Sequence, residues 1–111
     1  MKASDLFVKC LEAEGVTKIF GIPGEENADL MISLKKSKIE FVLCRHEQAA
    51  AFMADVYGRL TGKAGVCLAT LGPGVTNLMT GLADANMDRA PVVAIIGQGS
   101  TERLHQESHQ I

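Results

Sequence analysis

The chain has 111 residues, 47% of them hydrophobic, with 11 Lys and Arg against 13 Asp and Glu and a formal net charge of −2. That length allows one ordinary domain, which buries roughly two-thirds of its unfolded surface and so can hold a core without disulfides or metal. The near-neutral balance removes the basic field on which nucleic-acid and anionic-membrane binders rely, and 22% charged residues with only 3 Pro argue against disorder.

Residues 3–14 place Phe7, Cys10 and Leu11, with Leu6 beside them, at helical spacings, with Ser4 as N-cap and Gly15 as the end. Residues 16–20 are β-branched or aromatic at four of five positions and stop at Gly21-Ile22-Pro23-Gly24, a strand entering a sharp loop. Asn27 is the expected cap of a short helix with Leu30, Met31 and Leu34 inward and Lys35, Lys36 and Lys38 near its C-terminal end, where the helix dipole favours cations. A second strand is predicted over 39–44. A second long helix follows over 47–60, with Ala49, Ala50, Met53, Val56, Tyr57 and Leu60 as one apolar stripe opposite Gln48, Asp55 and Arg59, closed by Gly62.

Residues 64–71 are continuously apolar apart from Thr70, which suits a central strand covered on both faces. Gly72-Pro73-Gly74 opens a helix with Val75, Leu78, Met79 and Leu82 inward, and Pro91 precedes a fourth strand over 92–96 that breaks at Gly97-Gln98-Gly99. Residues 100–111 are polar and unpatterned. The expected fold class is therefore α/β, an open parallel sheet with right-handed crossovers and helices on both faces.

Cys10, Cys44 and Cys67 form no C-x-x-C pair and are expected as buried thiols in a reducing compartment. The N-terminus shows no apolar signal segment, and no apolar run approaches the ~20 residues of a membrane span, so the expected location is the cytoplasm.

All four predicted strands end in an unusual cluster: Gly21-Ile22-Pro23-Gly24-Glu25, Arg45-His46-Glu47, Thr70-Leu71-Gly72-Pro73-Gly74 and Gly97-Gln98-Gly99. A parallel sheet puts these on one rim, where open α/β folds bind ligands. Glycine and proline also simply end strands and start helices, but four such clusters on one side point to a site. Glu47 stands out among them. It is either an acid placed by the helix dipole or, under a ligand that desolvates it, a proton donor or shared-proton partner for a heterocyclic nitrogen.

Three other motifs fall short of their patterns. Gly72-Pro73-Gly74-Val75-Thr76-Asn77 resembles a dinucleotide fingerprint, but Asn77 stands in place of the third glycine and no acid ends the fourth strand. His46-Glu47 begins like a zinc motif, but position 50 is Ala. His105 and His109 have i, i+4 spacing in a polar tail with no third ligand assured.

Together Val16-Thr17-Lys18-Ile19-Phe20-Gly21-Ile22-Pro23-Gly24, Arg45-His46-Glu47-Gln48-Ala49-Ala50 and Gly72-Pro73-Gly74-Val75-Thr76-Asn77 with Gly81-Leu82-Ala83-Asp84-Ala85 resemble the N-terminal pyrimidine-binding domain of thiamine-diphosphate enzymes. The acetolactate synthase large-subunit group is the nearest likeness, and it covers nearly the whole chain. The resemblance implies that Glu47 is the cofactor-activating acid, hydrogen-bonded to the aminopyrimidine ring nitrogen. It further implies that Pro23, Gly24, Thr70, Gly72, Gly74 and Asn77 line the pyrimidine pocket and that Gln110 faces the reacting centre. A 2-keto acid such as pyruvate is then the substrate, decarboxylated and joined to a second molecule through the cofactor.

Two departures qualify the likeness. The group usually has a Val-Pro segment and a Phe before the glutamine, whereas here Gly99-Ser100-Thr101-Glu102-Arg103 follows, and His109 precedes Gln110 and is expected near the substrate. The family's Gly-Asp-Gly motif, which holds Mg²⁺ and the diphosphate, does not occur. Residues 1–111 are accordingly expected to be a pyrimidine-binding domain truncated on its C-terminal side and inactive alone. Its site would be completed by the diphosphate-binding domain of another subunit in a homo-oligomer, with FAD, where the group carries it, mostly outside these residues. The competing expectation is a module of the same fold that associates or binds a small ligand without chemistry.

Overall fold

A computed structural model describes residues 1–106. Along them helices and strands alternate: α1 (Ala3–Ala13), β1 (Lys18–Gly21), α2 (Ala28–Lys35), β2 (Glu40–Leu43), α3 (Glu47–Thr61), β3 (Gly65–Ala69), α4 (Pro73–Met87) and β4 (Val92–Ile96). Single 3₁₀ turns lie at Glu25–Asn27 and Thr101–Arg103. The strands form one parallel sheet in the order β2-β1-β3-β4, with Gly21 opposite Leu43 on one side and Leu68 on the other, and Cys67 opposite Ala94. This is the α/β architecture that the alternation of patterns predicts.

Two cores flank the sheet. Because side chains alternate along a strand, β3 sends Val66 and Leu68 to one face, where they meet Ile19, Val8 of α1 and Leu34 of α2. Cys67 and Ala69 go to the other, against Ala50, Ala51 and Ala54 of α3 and Leu78 of α4. A strand covered on both faces has no polar side, which is why its sequence reads as an unbroken apolar run.

The helix faces are rotated from the expected ones. In α3 the buried residues are Ala50, Ala51, Ala54, Asp55 and Gly58, while Met53, Val56 and Leu60 are 43%, 51% and 82% exposed. Small side chains let α3 lie close on the sheet and on α4, and that closeness outweighs the larger apolar area of the neighbouring stripe. In α1 the buried residue is Val8, with Leu6, Phe7 and Cys10 exposed, and in α4 Met79 faces outward beside the buried Leu78. Cys10 is thus not the buried thiol expected of it.

The caps also differ. Ser4 does not cap α1; its hydroxyl accepts from the Ser33 hydroxyl, and the Asp5 carboxylate instead accepts the Lys2 N–H at 3.0 Å. His46 caps α3, its Nδ1 accepting the Gln48 N–H at 3.1 Å, and Gly62 closes that helix at φ 69°. Among the described residues no helix is long and apolar enough to cross a membrane.

Candidate functional site

The chain steps from β1 outward to β2 and from β3 outward to β4, so the sheet order reverses between β1 and β3. Loops leaving the carboxyl ends of those two strands diverge, and the crevice between them is where open α/β sheets take ligands. Here the loops touch at Gly24 and Thr70: a Cβ on Gly24 would stand 2.5 Å from the Thr70 Cβ. No larger residue fits there without moving a loop. Gly72 begins α4 at φ 62° and ψ −120°, a conformation side chains disfavour, and Pro73 follows in the first helical turn, where its missing N–H costs nothing. Gly97, after β4, packs on the same loop, its Cβ position 3.4 Å from the Leu71 nitrogen and 3.6 Å from the Glu26 Cβ.

Glu47 is the first residue of α3, where the amino-terminal dipole favours a carboxylate. Its Oε2 accepts a hydrogen bond from Asn77 Nδ2 of α4 at 3.0 Å. A carboxylate only accepts, which fixes the orientation of the Asn77 amide. Oε1 lies 3.6 Å from the Cβ position of Gly74, and the Thr70 methyl lies 3.2 Å from that same position. Glu47, Asn77, Gly74, Thr70 and Gly24 therefore form one continuous surface. Two polar atoms beside it, Thr70 Oγ1 and Asn27 Nδ2, are buried with no partner among the described residues. Such atoms are uncommon in folded proteins.

A cavity of about 300 Å³ opens on the same rim between Leu71, Gly72, Val75, Thr76 and the segment from Ile96 to Gly99. Of the residues singled out from sequence, Gly24, Glu47, Thr70, Gly72, Gly74 and Asn77 come together, while Pro23 is exposed at the lip. Arg45 and His46 are exposed, His46 serving as the cap of α3. His109 and Gln110 lie outside the described residues, as does half of the His105/His109 pair; among the described residues no three metal-ligating side chains cluster.

Asn27 and Asp55 are the polar residues that pattern reading misplaces. Asn27 makes no cap bond to α2; its Oδ1 accepts the Gly24 N–H at 2.9 Å. Asp55, 1% exposed, receives Arg59 Nε at 2.5 Å and Nη2 at 2.9 Å, and Arg59 also reaches Asp84 at 3.2 Å and Asp88 at 2.6 Å on α4. The guanidinium bonds hold the Asp55 carboxyl below the usual range, whereas Asp84, bonded to Asp55, is pushed up. The i, i+4 spacings Asp55–Arg59 and Asp84–Asp88 were the available signal. Burial pushes the Cys44 thiol up and that of Cys67 up to about 11, so neither is an activated nucleophile.

Comparison with known proteins then places the whole chain. Residues 1–111 match the family described as thiamine pyrophosphate enzyme, N-terminal TPP binding domain. Among curated relatives, a probable acetolactate synthase large subunit of Methanocaldococcus jannaschii is 46% identical over 99% of this chain and 19% of its own length. The acetolactate synthase isozyme 2 large subunit of Escherichia coli is 48% identical over 99% of this chain and 20% of its own. An acetolactate synthase of Bacillus subtilis is 46% identical over 98% and 19%. The chain thus spans about a fifth of the length of these relatives.

Proposed function

The chain belongs to the thiamine pyrophosphate enzyme family, as its N-terminal TPP-binding domain, and from that premise we propose that it holds the pyrimidine half of thiamine diphosphate in an acetolactate synthase-like enzyme. The observation that carries this reading is the Glu47 carboxylate at the switch point, with one oxygen tied to Asn77 and the other beside Gly74.

The residues present fit a flat, nitrogen-bearing ring. Gly24 and Gly74 bring backbone close to Thr70 and Glu47 where a Cβ would crowd them, the Thr70 hydroxyl is buried with no partner among the described residues, and the Glu47 carboxylate has accepting capacity left. In this reading Glu47 shares a proton with a ring nitrogen, Asn77 keeps the carboxylate aimed, and Pro23, Gly24, Thr70 and Gly72 form the walls. When bound, the cofactor supplies the carbanion chemistry that decarboxylates a 2-keto acid such as pyruvate and joins it to a second molecule. His109 and Gln110 are assigned to the substrate side. Mg²⁺, the diphosphate and any FAD are assigned to parts of the enzyme outside these residues, with the diphosphate-binding domain contributed by another subunit of a homo-oligomer. Residues 1–111 alone are then inactive.

Titration of the full-length protein with thiamine diphosphate and Mg²⁺, with acetolactate formation from pyruvate assayed in parallel, tests the reading. Saturable cofactor binding and turnover are expected. The isolated 111-residue chain is expected to give none, and clear turnover by it sinks the composite-site proposal.

A further inference from the structure

Asn27 has no role in the reading above. It is only 8% exposed, and its Oδ1 accepts the Gly24 N–H at 2.9 Å. That bond fixes which end of the amide is which, because the N–H can only donate. Nδ2 is buried with no acceptor among the described residues.

Gly24 itself is extended, at φ −144° and ψ 174°, a region that glycine leaves as readily as it enters. The Asn27 bond closes the 3₁₀ turn that follows Gly24, and on its other side Gly24 packs on Thr70, whose Oγ1 is 2.6 Å from the Gly24 Cβ position. Thr70 passes the constraint on, with its methyl 3.2 Å from the Cβ position of Gly74, itself 3.6 Å from Glu47 Oε1. Gly24, Thr70 and Gly74 thus lie between Asn27 and the carboxylate as successive neighbours.

We propose that Asn27 is a positioning residue for the pyrimidine pocket: by holding the Gly24 amide it sets how closely the loop after β1 sits on Thr70, and so the width of the slot facing Glu47. Asn27 touches no ligand itself. The proposal rests on the cofactor assignment above and specifies which side chain shapes its wall.

The test compares wild type, Asn27→Ala and Asn27→Asp in the full-length protein. Asp keeps the acceptor for Gly24 and removes the amide protons; Ala removes both. Asn27→Ala should exchange the Gly24 amide about tenfold faster without cofactor and bind thiamine diphosphate about tenfold more weakly, at a little-changed melting temperature. The near-ultraviolet circular dichroism of the bound aminopyrimidine should change with it. Asn27→Asp should restore Gly24 protection and most of the affinity.

Wild-type affinity and dichroism in Asn27→Ala overturn the proposal, as does an equal loss in both variants, which would place the role in the amide protons. If Asn27→Ala does not fold, Asn27→Asp decides alone: retained Gly24 protection and affinity support the proposal, and their loss overturns it. Absence of cofactor binding by wild type defeats the functional reading instead, and Gly24 exchange still reports whether Asn27 holds the loop.

Discussion

Helix α3 carries an acid at its first residue and another two turns on, and they live in different worlds. Glu47 sits at the rim, half-buried, with one neutral amide on one oxygen. Asp55 is buried against α4, with both oxygens bonded to a guanidinium that also gathers Asp84 and Asp88. A carboxylate whose acceptors are filled by a cation is a structural clamp, and its charge is spent inside the protein. A carboxylate with a neutral partner and an open oxygen is available to something else. The contrast between residues of the same chemistry on the same helix separates a carboxylate filled by a cation from one with an oxygen left open.

The sharpest way to break this contrast is to remove each charge and ask what is lost. Glu47→Gln in the full-length protein should lower acetolactate formation about 100- to 1000-fold with an unchanged urea midpoint. A variant that keeps full activity removes Glu47 from the chemistry. Asp55→Ala should do the reverse: about 1–2 kcal/mol of stability lost in urea unfolding, because two charge-assisted bonds go while Arg59 stays partly exposed and keeps Asp84 and Asp88, with cofactor affinity retained in whatever fraction is folded.

Two acids of the clamp, Asp55 and Asp84, also differ in pH response. Asp55 titrates below its free value near 3.8, so its stabilisation is complete above that value and is lost as pH falls through the lower folded one. Asp84 is raised, so its contribution is present below the free value and fades as pH rises through the folded one. Replacing Asp55 by Asn should therefore flatten the acid side of the stability profile measured from pH 2 to 5, a range chosen about the ordinary carboxylate values. An unchanged acid limb would show that the pair does not govern it.

Smaller effects sharpen the rim side. Gly24→Ala puts a methyl into Thr70 and should cost about 1–2 kcal/mol of stability, with cofactor affinity weakened more than unfolding alone explains. Asn77→Ala removes one hydrogen bond to the carboxylate and should reduce kcat/KM about tenfold, corresponding to about 1.4 kcal/mol. Equal effects of Asn77→Ala and Glu47→Gln would mean that the amide does more than aim the acid.

Strand order apart, most of the fold was legible in the residues, because a buried parallel strand such as β3 announces itself by an unbroken apolar run and ends at glycine. The rim was legible for a related reason: glycines and prolines that permit close approach cannot be replaced by anything that looks ordinary. What periodicity misplaced was the orientation of helices. Met53, Val56 and Leu60 make the more apolar stripe of α3, yet Ala50, Ala51, Ala54 and Gly58 are the face that packs, since closeness depends on small volume and hydropathy does not record it. The same blindness hid Asp55, which reads as a surface acid until Arg59 and α4 are placed around it. Asn27 was misread because an asparagine before a helix is ordinarily its cap, and only the loop's three-dimensional course turns its oxygen back to Gly24.

The three thiols, of no evident use to the chemistry, turn the domain into its own stopwatch. Cys10 stands in solvent, Cys44 is covered where β2 ends, and Cys67 is sealed between β3 and the alanine face of α3. A thiol reagent added to the native chain meets Cys10 at once, but reaches Cys67 only in the moments when α3 lifts from the sheet. The interval between those two labelling events measures how often the layer that carries Glu47 breathes.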